Sequence, residues 1–543
     1  MVQSNAQLKY PVTRKAAQMD NYFGTEVHDP YRWLEDDNSA ETAEWVKAQN
    51  QLTRSYLDAI PFRSKVHERL TSMWNYTRFS SPFKQGRFYY YYRNEGLQNQ
   101  SVLYRQISLD GDGEVFLDPN TLSKDGTAVP GVPVFTNSNR YCAYLMAESG
   151  SDWQEAYVMD VETKKLLKDK LQWIKFSGIA WKGEEGFYYS RYPETADSNR
   201  LNGKNEFHRL CYHKLGTPQS EDVVVFEDKD NPLRTITGGI TEDNRYLIVN
   251  KSEGTSGVEI WVKDLQTEGP FRCIIKGYQH EAEVIDNNGS VLLVRTNIDA
   301  PNYRIVGIDM ANPEKERWTN LVPEKPFLLE NAQTAGGSLY AGYLKDAGSK
   351  VFQYDLKGTL LREISLPGIG TAAGFSGKRT DEELFYTYTS FNTPPVIYRY
   401  SPRDGNSTLF RKPTLAFNTS EYETRQEFFR STDGARVPLF ITYKKGLKLN
   451  GKNPLMLYGY GGFNIPLTPA FSISNAFFLE QGGVYVQVNL RGGNEYGEAW
   501  HKAGMLGNKQ QVFDDMIAAA EFLVAKRYTS PGKLAIRGGS NGG

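Results

Sequence analysis

Gly538, Ser540 and Gly542, in the stretch KLAIRGGSNGG, satisfy the pattern G-x-S-x-G. A serine hydroxyl attacks a carbonyl well only when a sharp turn exposes it and a base takes its proton, and glycines permit such a turn. The same letters compose flexible linkers, so the motif is read together with what precedes it. YTSPGKLAIR is a Ser-Pro-Gly turn and then an apolar strand. A strand running straight into the glycines is the context a nucleophile elbow requires, and it favours the elbow over a loose tail. His501, in AWHKAG, precedes the serine, whereas in strand-turn-helix hydrolases the histidine follows it; it reads as a packed or surface residue. Asp514 and Asp515 are adjacent on a helical stretch and point in different directions, which is poor geometry for paired carboxylates.

Metal chemistry finds no support. His28, His67, His208, His213 and His280 lack ligand spacing, and Cys142, Cys211 and Cys273 are 69 and 62 residues apart, matching neither a zinc knuckle nor a disulfide framework. No cofactor is expected. With 63 Lys+Arg against 64 Asp+Glu and no long run of like charge, nucleic acid and anionic membrane are poor partners. The start, MVQSNAQLKYPVTRKAAQ, lacks an apolar signal core, and no window approaches a membrane span. A soluble, cytoplasmic monomer is expected.

The elements that must position the serine fall into two styles. Phe88, Tyr141, Phe187, Tyr246, Val291, Leu339 and Phe385 each open a short apolar or aromatic run after a turn signal, at spacings of 45 to 59 residues. A second strand follows each at a similar offset, as in SVLYRQIS and EIWVKDLQ. Several short strands repeated at about 50 residues are the signature of propeller blades, which bury their faces only by stacking on one another. The alternative is a β-sandwich with accidental spacing. Before the repeats, Asn38 and Glu41 stand in capping-box spacing ahead of Trp45, Ala48, Leu52 and Tyr56, and a second helix is expected from Pro61 through Val66, Leu70 and Trp74.

After the repeats, QEFFRSTDGARVPLFITYKK reads as a hairpin turning at Asp433 and Gly434. NPLMLYGYGGF and GGVYVQVNLRGG are continuous apolar runs ending in glycine, as strands buried on both faces are. NKQQVFDDMIAAAEFLVAKRY is a helix with Phe513, Met516, Ile517, Ala520 and Leu523 in register. The expected architecture is a seven-bladed β-propeller, residues 75–418, inserted into an α/β-hydrolase domain made of residues 1–74 and 419–543.

DPYRWLED, GLQNQ, GSDW, APNYR, YGYGGFN, RGGNEYGEAWHK, NKQQVFDD and GGSNGG together resemble, in order, segments of the prolyl oligopeptidase family of serine peptidases. Asn541 after the serine resembles its proline-specific branch, where relatives directed at arginine and lysine usually carry Ala and dipeptidyl peptidases Tyr. The resemblance implies that Ser540 attacks and that the backbone NH of Asn541 and the phenol of Tyr460 hold the oxyanion. It implies that Phe463 and Asn541 line the proline pocket and that Phe176, in WIKFSGIAW, touches the substrate upstream of proline. From the residues alone, Tyr460 is an aromatic at a strand end and Phe176 is blade core.

The implied activity is hydrolysis of short peptides on the carboxyl side of proline through an acyl-enzyme, with the propeller keeping folded proteins out. The triad order serine, aspartate, histidine puts an acid and a base after the elbow, and residues 1–543 supply neither. The chain is therefore expected to be a fragment, incomplete in its hydrolase domain and inactive alone. Two other readings remain: a non-catalytic propeller binding module with a vestigial hydrolase flank, and an oligopeptidase cutting after basic residues.

Overall fold

The computed structural model describes residues 8–194 and 203–543. Residues 1–7, part of the start read as leaderless, lie outside them. The chain divides into two compact units, Met1–Ser72 and Met73–Gly543; the boundary lies beside the expected start of the propeller, and the propeller and the C-terminal segment fall in one unit.

The first unit contains a hairpin absent from the sequence reading, Met19–Tyr22 paired antiparallel with Thr25–His28, and helix α1, Ala40–Asp58. The cap of α1 is Ser39, whose hydroxyl accepts from the Thr42 NH at 3.1 Å. The expected box on Asn38 is thus displaced by one residue, because Glu41 turns away to pair with Arg14 at 2.6 Å. Trp45, Ala48 and Leu52 are half-buried, while Tyr56 is exposed. Helix α2 is Arg63–Trp74, starting two residues after Pro61.

Seven antiparallel sheets follow, spanning residues 78–117, 129–174, 179–227, 235–275, 282–322, 328–364 and 371–411. They are the seven blades of a propeller. Phe88, Tyr141, Tyr246 and Val291 open the second strand of their blades, and Phe187, Leu339 and Phe385 stand one residue inside it. Apolar side chains from facing sheets fill the junctions. Between the first and second blades Tyr90, Phe116, Phe135 and Tyr144 pack together; between the fourth and fifth, Ile248, Ile260, Leu292 and Val306 do so. Burying each such side chain contributes about 1.5–3 kcal/mol.

Each blade uses consecutive strands, so neither the first nor the last borrows a strand from the other end of the ring. Their junction is made instead by side chains. Ser81 Oγ lies 2.9 Å from Thr387 Oγ1, Tyr89 donates to Glu383, and the Arg411 guanidinium stands 4.4 Å from the centre of the Phe79 ring.

The C-terminal segment forms a five-stranded sheet of α/β-hydrolase type. Strands β1, Tyr422–Arg430, and β2, Arg436–Lys444, make the expected hairpin, with Gly434 at φ +87° in its turn. Strand β3 is Leu455–Tyr458, helix α3 Ile473–Glu480, β4 Val484–Val488, α4 Glu498–Lys502, α5 Gln510–Ala525 and β5 Leu534–Arg537. The order across the sheet is β1-β2-β4-β3-β5, and the last three strands are parallel.

Leu439, Ile441, Leu457, Val486 and Val488 form the core with Val512, Ala519 and Leu523 of α5. Of the expected face of α5, Leu523 lies in the core and Met516 and Ala520 pack against it, whereas Phe513 and Ile517 are more than half exposed. The buried face also carries Asp515, whose partner is described below.

Candidate active site

Parallel pairing brings two glycine-rich loops together at the carboxyl ends of neighbouring strands. β3 and β5 are in register from Leu455 opposite Leu534 to Tyr458 opposite Arg537. Beyond Tyr458 runs Gly459-Tyr460-Gly461-Gly462-Phe463, and beyond Arg537 runs Gly538-Gly539-Ser540-Asn541-Gly542. Crevices outside the carboxyl ends of parallel strands are where open α/β sheets bind ligands.

Ser540 is exposed and has φ +54°. A left-handed conformation costs a residue bearing a Cβ about 1–2 kcal/mol, so the surroundings must enforce it. They do so by close approach. A Cβ on Gly538 would lie 1.8 Å from the Gly542 carbonyl oxygen, and one on Gly542 would lie 2.7 Å from the Gly459 oxygen. The turn is closed by the NH groups of Gly542 and Gly543, which donate to the carbonyls of Gly539 and Ser540 at 2.9 and 3.0 Å.

The neighbouring loop is drawn against this turn. Asn541 Nδ2 donates to the Tyr460 carbonyl at 2.7 Å, and a Cβ on Gly462 would sit 2.5 Å from that same nitrogen. Tyr460 is half-buried. Phe463 is 55% exposed with φ +53°, its ring turned outward at the end of the loop. Ser540, Asn541, Tyr460 and Phe463 therefore share one surface at the strand ends.

Phe176 stands elsewhere in the chain, on the connection between the second and third blades, with φ +53°. It is 55% exposed, which overturns the blade-core reading, and the Lys175 ammonium lies 5.2 Å from its ring centre. His501 is packed, as expected: it is buried, with Nδ1 2.7 Å from the Gly492 carbonyl oxygen. Among the described residues no group of three or more His, Cys, Asp or Glu could hold a metal. Nor is any helix of the described residues long and apolar enough to cross a membrane.

Residues the sequence reading passed over hold this surface in place. Arg491, just after β4, is buried and pairs in two-pronged fashion with Asp515 of α5, at 2.6 and 2.9 Å; it also reaches Asp433 in the β1–β2 turn. The segment it anchors supports the Tyr460 loop, for the Gly492 carbonyl accepts from the Asn464 NH at 3.2 Å. Glu495 is 1% exposed and accepts from the Leu467 NH and Asn489 Nδ2 at 2.9 and 3.0 Å. Burial pushes its pKa up to about 7, against those hydrogen bonds and with help from the Glu330 charge. Lys509, the residue before α5, donates to the Gly461 carbonyl at 2.8 Å and to Asn541 Oδ1 at 3.1 Å. Only the motif RGGNEYG and the helix start NKQQ mark these residues in the sequence, and neither reveals a partner.

A propeller joined to a sheet of α/β-hydrolase type defines the fold class of the chain. Family models place it further. Residues 10–413 match the prolyl oligopeptidase N-terminal β-propeller domain and residues 469–543 match the prolyl oligopeptidase family. The chain is 45% identical over 541 residues to a prolyl endopeptidase of Elizabethkingia miricola, covering 100% of this chain and 76% of that protein. A solved prolyl endopeptidase structure superposes with a TM-score of 0.92 at 36% identity, over 98% of this chain and 79% of that one. Prolyl oligopeptidase B from Galerina marginata, solved with a 35mer hydrolysis and macrocyclization substrate, gives 0.91 at 32% identity, over 98% and 78% of the two chains. The chain belongs to the prolyl oligopeptidase family.

Proposed function

We propose that this protein is a serine endopeptidase that hydrolyses short peptides on the carboxyl side of proline, with Ser540 as the nucleophile. The observation that carries the reading is the left-handed, exposed Ser540 at the carboxyl end of a parallel strand, held there by glycines that admit no side chain. Ser540 Oγ attacks the carbonyl carbon of the prolyl residue as its proton passes to a base, giving a tetrahedral oxyanion. The Asn541 NH and the Tyr460 hydroxyl donate to that oxygen. Such a donor acts where charge develops, and its loss costs about 10²–10³ in kcat. Collapse expels the amine of the downstream peptide and leaves an acyl-serine, which water then hydrolyses.

The exposed ring of Phe463 offers a flat apolar wall to the pyrrolidine, beside the Asn541 backbone. The exposed ring of Phe176 is assigned to a substrate residue upstream. Family membership and the name of the 45% identical relative support the preference for proline.

Paired chromogenic peptides that differ only in Pro or Arg before the reporter test the reading on the protein as it is naturally made. Release after Pro exceeding release after Arg at least a hundredfold is expected. Preferential release after Arg would reassign the protein to cleavage after basic residues, and release after neither would leave a binding module.

A further inference from the structure

The mechanism above needs two loops from different parts of the chain to keep one relative position. The Tyr460 loop presents the phenol, and the elbow presents Ser540 and the Asn541 NH. One side chain bridges them without belonging to either. The Lys509 ammonium donates to the Gly461 carbonyl, next to Tyr460, at 2.8 Å and to Asn541 Oδ1, next to Ser540, at 3.1 Å. The Asn541 amide completes the bridge by donating from Nδ2 to the Tyr460 carbonyl at 2.7 Å. Gly461, at φ +61°, and Gly462 have no side chains to obstruct this approach; a Cβ on Gly462 would collide with the Asn541 amide.

The placement of Lys509 is otherwise unfavourable. A cation at the N-cap of a helix opposes the helix dipole, where a carboxylate or hydroxyl is the usual choice. No carboxylate within ion-pairing distance of Lys509 is found among the described residues, and burial lowers its pKa. Two of its three donors go to one backbone carbonyl and one side-chain amide, both next to residues assigned to the chemistry. An error of about 1 Å in a reacting group can cost about a hundredfold in rate, so a bridge that sets the separation of nucleophile and oxyanion donor acts directly on turnover.

We propose that Lys509 is a positioning residue for the hydrolysis, fixing the Tyr460 loop against the Ser540 elbow through the Gly461 carbonyl and the Asn541 amide. This rests on the assignment of Ser540 and Tyr460 above. Lys509 touches no substrate; it sets the frame in which the oxyanion is met. Its contribution therefore belongs to the transition state and not to ground-state binding.

The test compares Lys509→Met, Lys509→Gln and Lys509→Arg in the protein as it is naturally made, with a Pro-reporter peptide, a peptide aldehyde ending in Pro and the corresponding product acid. The aldehyde forms the tetrahedral oxyanion with the serine, and the product acid does not. The Met and Gln variants are expected to lose ten- to a hundredfold in kcat, with KM within threefold, and to bind the aldehyde more weakly by the same factor while product binding is unchanged. Lys509→Arg is expected to recover most of the loss. Using two neutral variants keeps the test valid if one fails to fold. Wild-type kcat in either folded neutral variant, or equal losses for aldehyde and product, would overturn the proposal. Ser540→Ala, run in parallel, isolates the underlying reading: activity surviving in that variant removes the Ser540 assignment, whereas its loss alongside unaffected Lys509 variants removes this proposal alone.

Discussion

In the propeller ring, position is set by what fills the space between blades; at the elbow it is set by what is missing. The junction of the fourth and fifth blades is held by Ile248, Ile260, Leu292 and Val306, each of which a neighbour could partly replace by repacking. The turn at Ser540 is held by Gly538, Gly542 and Gly462, where a single methyl meets a backbone oxygen or an amide below 3 Å. The ring has intolerant glycines as well, such as Gly186, whose Cβ would lie 2.0 Å from the His213 oxygen. Those protect the pairing of two strands and hence stability. The difference teaches that the ring is specified redundantly and the site by a few exclusions.

Four substitutions sharpen or break this contrast, in descending order of expected effect. Gly538→Ala should lower kcat/KM for a Pro-reporter peptide on the order of a thousandfold, about 4 kcal/mol at the transition state, while the melting temperature moves little. Undiminished activity would show that the turn has room that its geometry denies. Asp515→Ala should cost about 3–5 kcal/mol in urea unfolding, because it leaves the buried Arg491 with the partly exposed Asp433 as its one carboxylate partner among the described residues. Leu292→Ala, in the ring, should cost about 2–5 kcal/mol of stability and leave kcat of the folded fraction unchanged, the reverse pattern to Gly538→Ala. Gly239→Ala, a ring glycine with nothing within 4 Å of its Cβ, should change stability by no more than about 0.5 kcal/mol and leave activity untouched.

A pH effect separates the two regions further. Glu495 is an acid whose folded pKa is raised to about 7, so its protonated form favours the folded state. The associated stability is complete below the ordinary value near 4.5 and is lost as pH rises through about 7; it amounts to about 3 kcal/mol. Glu495→Gln should flatten the stability slope between pH 4.5 and 7 and raise stability above it, as read by thermal melts across that range. An unchanged slope would mean that the carboxylate is satisfied in its charged form.

What the sequence made legible follows the same division. The seven turn-then-strand entries fall on or one residue inside the second strand of each blade, since a repeat averages out local errors. The hairpin turn at Asp433-Gly434 and the strand leading into Gly538 were equally readable, because glycine and periodicity are local signals. The buried face of α5 was legible only in part. Periodicity counts apolar residues and finds Met516, Ala520 and Leu523, but not the buried Asp515, whose partner Arg491 lies 24 residues away. The bridge made by Lys509 was hidden for the same reason: its partners lie 48 and 32 residues away. The α1 cap lies at Ser39 and not Asn38 because the expected box partner, Glu41, pairs with Arg14, 27 residues away.

The account rests on Ser540 being an exposed, reactive hydroxyl on a turn the protein holds under strain. Treating the naturally made protein with a fluorophosphonate and mapping the adduct by peptide mass tests that directly. One adduct per chain, on Ser540, and none in a Ser540→Ala variant with an unchanged melting temperature, is the predicted result. An adduct on another residue, or one that survives the substitution, would contradict it.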